Sequence, residues 1–187
     1  MRIFFLELEQ HRHGAKVGSF AWCDDFAAAR NASLRLATGD WILWMDADDV
    51  LPPEERDKVR RAMARGRKEA FYFVLENVGA DRSRYPQLRL FPNVPGAAFE
   101  RPVHEQIVPS LERLGVACVR TNIRVVHTGY TTPERTAQKR RKYLDMMRRW
   151  LEAHPEDTDV RFRVAHTLYG EGDLEAAETG FHALTAD

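Results

Sequence analysis

The chain has 187 residues, 44% of them hydrophobic and 30% charged, with 28 Lys and Arg balanced by 28 Asp and Glu. That length suits one domain with a small appendage, and the composition excludes a disordered or low-complexity chain. Zero formal net charge gives no general attraction to nucleic acid or any other polyanion, and two cysteines, Cys23 and Cys118, are too few for a disulfide framework.

Taken in chain order, residues 2–8 read as a short strand and residues 10–14 as a polar turn, in which His11 and His13 are solvated rather than ligands. Residues 16–20 are extended. Asp25 is placed to cap a helix over residues 26–38, rich in alanine and stopped by Gly39. Trp41 to Met45 is a continuous apolar run, the pattern of a strand buried on both faces of a sheet flanked by helices. The Pro52-Pro53-Glu54-Glu55 stretch opens a helix running to about residue 65, with proline in the first turn and carboxylates at the positive end of the dipole.

Residues 70–77, 86–91 and 116–127 read as further strands. After Thr131 only helices are expected: a basic amphipathic helix over 133–154, then a helical hairpin over 158–187 hinged near Gly170 to Gly172. The basic residues of the first of these, such as Lys139, Arg140 and Arg148, read as a solvated face rather than a nucleic-acid or membrane surface. The run from Trp41 to Met45 is far shorter than the roughly 18 residues that cross a bilayer, so no transmembrane segment is expected. Residues 2–9 lack the apolar core of a signal peptide, which makes a cytoplasmic location the default expectation.

Chemistry concentrates where the apolar run ends, at Asp46-Ala47-Asp48-Asp49. If the chain stayed extended, Asp46 and Asp48, two apart, would face the same way and could converge on one cation. Ligands of open α/β sheets enter at the carboxyl ends of strands. A divalent ion held there by carboxylates, with substrate phosphates completing its shell, is how Mg2+ or Mn2+ commonly meets a nucleotide. A solvated acidic turn is the simpler alternative.

The surrounding residues carry more. Ala29-Arg30-Asn31 on a helix, the Gly39-Asp40 turn and the apolar strand ending in Asp46-Ala47-Asp48-Asp49 together resemble glycosyltransferase family 2. The blocks Arg89-Leu90-Phe91, Val103-His104-Glu105-Gln106 and His127-Thr128-Gly129-Tyr130 resemble a bacterial subgroup of that family whose catalytic domain is followed by tetratricopeptide-like helices. The resemblance implies an α/β, GT-A-like fold, here a truncated Rossmann-like mixed sheet flanked by helices over residues 1–130. A small all-α tail over residues 131–187 would follow it. In that tail Ala165, Gly172-Asp173, Ala177 and Phe181 stand near the spacings of one tetratricopeptide-like hairpin.

It also implies a reaction: transfer of a sugar from a nucleotide-diphosphate donor to an acceptor, with inversion and with Mg2+ or Mn2+ as cofactor. Asp46 would contact the donor ribose or sit near the ion, Asp48 would ligate the ion, and His127 would be a further ligand. Arg30 and Asn31 would contact the nucleotide. Glu105, beside His104, would be the base that deprotonates the acceptor. From the residues alone, Arg30 also fits a helix surface, Glu105 an exposed loop, and His127 a core or capping position.

The match departs from the family at the start. Longer members open with a strand, a helix and a second strand bearing an acidic turn, and the 14 residues before Ala15 cannot hold a βαβ unit of about 30. The N-terminal nucleotide-binding segment is therefore expected to be missing, through a truncated gene, a partner chain that supplies it, or a minimal form. The exposed sheet edge that results would favour self-association or pairing with a partner chain. Two other readings stand beside the enzyme: a catalytically incompetent GT-A-like domain acting as an interaction module through its helical tail, and a haloacid-dehalogenase-type phosphatase, whose nucleophile motif Asp46-Ala47-Asp48-Asp49-Val50 fits literally.

Overall fold

The computed structural model describes residues 2–4, 16, 18–78, 82–129 and 133–185, with the backbone alone at 2–4 and 133–137. The end of the first expected strand and the turn containing His11 and His13 lie outside the described residues. The chain divides into two compact units. One comprises residues 1–22, 27–100 and 105–130; the other comprises 23–26, 101–104 and 131–187.

The first unit is built on a five-stranded sheet. Its strands are β3 (Trp41–Leu43), β4 (Asp49–Val50), β5 (Glu69–Asn77), β6 (Arg84–Pro92) and β7 (Ala117–His127). Their spatial order is β3-β6-β5-β7-β4, with β5 and β7 parallel and every other neighbour antiparallel. Strands β1 (Arg2–Phe4) and β2 (Ser19–Ala21) form a separate antiparallel pair.

Alternation along the strands, broken in β6 where Arg89 is an extra residue between Leu88 and Leu90, divides the core between the two faces of the sheet. Ala70, Leu88 and Phe91 point to one side, with Ala27 of α1 (Phe26–Leu34) and Leu111 of α3 (Val108–Arg113). Phe71, Phe73, Leu75 and Leu90 point to the other, with Val59 and Ala62 of α2 (Arg56–Met63). The sheet is thus mixed and covered by helices on both faces, as a GT-A-like α/β fold requires.

Three expectations are corrected. The apolar run gives only a three-residue strand, and β3, at the edge of the sheet, is not buried on both faces. Ile42 is in the core, but Leu43 is 38% exposed. Helix α1 stops at Leu34 and not near Gly39, because Leu36 and Ala37 donate to carbonyls three residues back, tightening the end into 3-10 turns, and the Ser33 hydroxyl bonds the Arg30 carbonyl. The helix after Pro52 begins as a 3-10 turn over Pro53–Glu55 before α2.

The second unit contains α4 (Pro133–Ala153), α5 (Thr158–Glu171) and α6 (Leu174–Thr185). Leu144, Met146 and Met147 of α4 are buried, while Lys139, Arg140 and Arg148 are exposed. Asp157 caps α5 by accepting from the Val160 amide, and also accepts from the Trp150 indole and the Arg101 guanidinium. Gly172, at φ 85°, closes α5 in the left-handed conformation that glycine adopts without strain, and the chain reverses into α6. A Cβ built on Gly180 would sit 2.9 Å from the Ala165 Cβ, so α5 and α6 cross at close range. No helix among the described residues is long and apolar enough to cross a membrane.

Candidate active site

The site grows out of the connection from β3 to β4. These strands occupy opposite edges of the sheet, about 19 Å apart if it were flat, yet only five residues join them. The sheet is curled, with extra residues in β6 opposite Phe71/Tyr72 and in β7 opposite Tyr72/Val74, and that curl brings the far edge within reach of the connection. Trp44 continues the antiparallel pairing for one residue by donating to the Arg89 carbonyl at 3.1 Å, while its indole donates to the Leu88 carbonyl at 2.7 Å.

The chain then turns sharply. Asp49 donates its amide to the Asp46 carbonyl at 3.0 Å, and Asp46 returns an amide bond to Asp49 Oδ2 at 2.8 Å. This closed turn replaces the extended geometry expected for Asp46 and Asp48. Beyond it Asp49 pairs with His127 and Val50 with Val126, which brings a histidine from 78 residues away to the acidic turn.

Asp48, Asp49 and His127 each offer a ligand atom within 4.8 Å of the others. His127 Nδ1 lies 2.9 Å from Asp49 Oδ1 and 3.6 Å from Asp48 Oδ1. The Thr128 amide and hydroxyl both donate to the Asp48 carbonyl, at 2.8 and 2.9 Å, and hold the end of β7 against the turn. Two carboxylates and an imidazole suit a divalent cation that accepts oxygen and nitrogen donors. The surroundings leave it room: a Cβ on Gly129 would fall 2.4 Å from Asp48 Oδ2 and 2.6 Å from His127 Nε2, so only glycine keeps that volume clear.

Asp46 faces elsewhere. Its carboxylate pairs with Arg30 Nη2 at 3.1 Å and lies 3.7 Å from Arg89 Nη2. Arg30 also contacts Glu105 through Nε, and both guanidiniums stack on the Trp44 ring, Arg30 at 4.1 Å and Arg89 at 3.8 Å from its centroid. Arg89 is fully buried, with Nη2 2.8 Å from Asp49 Oδ2 but off the line of a hydrogen bond, and Nε without a hydrogen-bond partner among the described residues. Burial pulls its pKa below the usual arginine value, and the Asp49 and Asp46 carboxylates pull it back.

The structure therefore gathers Arg30, Asp46 and Glu105 into one group and Asp48, Asp49 and His127 into another, and Arg89 touches both acidic sides. Arg30 is not a surface arginine, nor Glu105 an exposed loop acid, since its side chain is 13% exposed. Asn31 commits both ends of its amide to Phe99, donating to the carbonyl at 2.9 Å and accepting from the amide at 2.8 Å. His104 belongs to the other unit, where it is exposed at φ 54° with its ring edge-on to Tyr143.

Sequence reasoning misses the roles of Asp49, Arg89 and Gly129. Their only local trace is position: the last acid of the run, the first residue of Arg89-Leu90-Phe91, and the glycine two residues after His127.

A mixed, helix-flanked sheet with an acidic turn at the end of a strand defines the class of GT-A-like α/β domains. Residues 5–160 match the family described as glycosyl transferase family 2, and the chain belongs to that family. It is 36% identical over 178 residues to a TPR repeat-containing protein of Synechococcus elongatus, a match covering 88% of this chain and 43% of that protein. It is 27% identical over 161 residues to the SPbeta prophage-derived glycosyltransferase SunS of Bacillus subtilis, covering 79% of this chain and 36% of that protein, and equally to glycosyltransferase SunS of Bacillus phage SPbeta. The chain thus spans less than half the length of these curated relatives.

Proposed function

We propose that this domain transfers a sugar from a nucleotide-diphosphate donor to an acceptor hydroxyl or thiol, with inversion at the anomeric carbon and with Mg2+ or Mn2+ bound where Asp48, Asp49 and His127 converge. The convergence of these three side chains beside the volume that Gly129 leaves open is the observation that supports it most directly. When bound, the ion supplies positive charge against the diphosphate leaving group.

The remaining work falls to the chain itself. Asp46 and Arg30 stand together on the donor side, where Arg30 offers cationic contacts to the nucleotide and Asp46 an acceptor for a ribose hydroxyl. Asn31 serves by tethering the backbone at Phe99. Glu105 takes the acceptor proton as the new bond to the anomeric carbon forms; the bond to the diphosphate oxygen breaks and its electron pair leaves with the nucleoside diphosphate.

Calorimetric titration with a panel of nucleoside diphosphates, with and without Mn2+, tests the reading. Metal-dependent binding in the wild-type chain, abolished in Asp48→Ala with circular dichroism unchanged, is the expected result. Nucleotide affinity indifferent both to Mn2+ and to Asp48→Ala would overturn it in favour of an interaction module.

A further inference from the structure

Within the cation site just proposed, on which this inference rests, the three converging side chains are not equivalent. We propose that Asp49 is a positioning residue rather than an ion ligand: it holds the His127 ring so that Nε2 faces Asp48 Oδ2, across a gap that Gly129 keeps open.

The Asp49 side chain is fully buried, whereas those of Asp48 and His127 are 46% and 29% exposed. Both Asp49 oxygens are already committed. Oδ2 accepts from the Asp46 amide at 2.8 Å and faces Arg89 Nη2, and Oδ1 faces His127 Nδ1 at 2.9 Å. A carboxylate oxygen accepts in that contact, so Nδ1 is the donating nitrogen and Nε2 is the ring nitrogen left to face the gap. A carboxylate behind a histidine, fixing its tautomer and angle, is the usual support for a metal-binding imidazole.

Gly129 supplies the second, independent observation. The point where its Cβ would lie is 2.4 Å from Asp48 Oδ2 and 2.6 Å from His127 Nε2, so these two atoms border one small volume. Ions of this kind bind oxygen and imidazole nitrogen at about 2.0–2.2 Å, and a methyl group there would occupy the same space. Gly129 does not have the positive φ that would itself demand glycine. The backbone therefore accepts alanine, and among the described residues the nearest obstacles are the two facing side chains.

The test measures Mn2+ binding to the full chain by electron paramagnetic resonance, and the His127 tautomer by nitrogen-15 NMR in the metal-free protein. Gly129→Ala is expected to weaken Mn2+ binding at least tenfold with the melting temperature retained. Asp49→Asn is expected to weaken it about 10- to 100-fold and to shift the His127 proton away from Nδ1, since an asparagine can donate as well as accept.

Wild-type Mn2+ affinity in Gly129→Ala would overturn the proposal. So would an Asp49→Asn variant that loses Mn2+ as completely as Asp48→Ala while its His127 tautomer is unchanged, because Asp49 would then be a ligand. If Asp48→Ala and His127→Ala both leave Mn2+ binding intact, the cation site itself is wrong and this inference falls with it.

Discussion

Replacing Arg89 with methionine leaves a side chain of comparable length but no charge. In the wild type the guanidinium is fully buried, 2.8 Å from Asp49, 3.7 Å from Asp46 and stacked 3.8 Å from the Trp44 centroid. Removing one partner of a buried ion pair strands the other charge, at a cost of about 3–5 kcal/mol. Asp49, whose side chain has no exposure, has no way to recover that loss from water. A domain of this size loses about 2–4 °C of melting temperature per kcal/mol, so Arg89→Met should melt about 10 °C lower.

Urea unfolding followed by tryptophan fluorescence, to which Trp41 and Trp44 contribute with Trp22 and Trp150, measures the change, and Arg89→Met/Asp49→Asn completes a double-mutant cycle. The cycle should show strong coupling, with the second substitution costing much less once the first is made. A loss under about 1 kcal/mol in Arg89→Met, or simple additivity in the cycle, would refute the claim that this arginine exists to neutralise the buried acid.

Three further expectations can be checked with simple variants. Glu105→Gln should lower turnover by about 10²–10⁴-fold while nucleotide affinity changes little; weakened nucleotide binding with turnover retained would instead make Glu105 a holder of Arg30. Burial pushes the Glu55 carboxyl up, but hydrogen bonds from Lys58 and Arg124 outweigh it, and its pKa falls below the ordinary value of 4.5. Its contribution to stability is therefore complete above about pH 4.5 and disappears as the pH falls through the lower folded value, so Glu55→Gln should flatten the acid limb of a stability profile measured by urea midpoint, and an unchanged limb would count against it. Asp157→Ala removes the cap of α5 together with the Arg101 and Trp150 contacts, and should cost about 1–3 kcal/mol, read as earlier loss of helical circular dichroism; an unaltered melt would show those contacts to be idle.

Much of the frame is legible in the residues because it depends on short-range patterns. The long β-branched run predicts β7, Pro133 and the apolar stripe predict α4, and Gly172 predicts the reversal between α5 and α6. The acidic turn after Trp41 to Met45 is legible for the same reason. Less legible are elements whose identity comes from what they touch. The helix α3 is six residues long and carries too little periodicity to announce itself, and β4 is two residues that count as a strand only because β7 lies beside them. The apolar run at Trp41 to Met45 suggests a strand buried on both faces, yet its aromatic rings serve a different purpose: Trp41 packs on Phe71, and Trp44 seats two arginines.

From the chain alone come the chemistry available to the site and the neighbourhood in which it gathers, since residue types and local periodicity are written in one dimension. Which acid meets which base is decided only in three dimensions. The pairing of β4 with β7 joins Asp49, and not Asp46, to His127; the register of β6 buries Arg89 between them; and a glycine two residues past the histidine leaves the gap. Those are contacts across 40 to 80 residues of chain, set by strand register and side-chain volume, and no local pattern contains either.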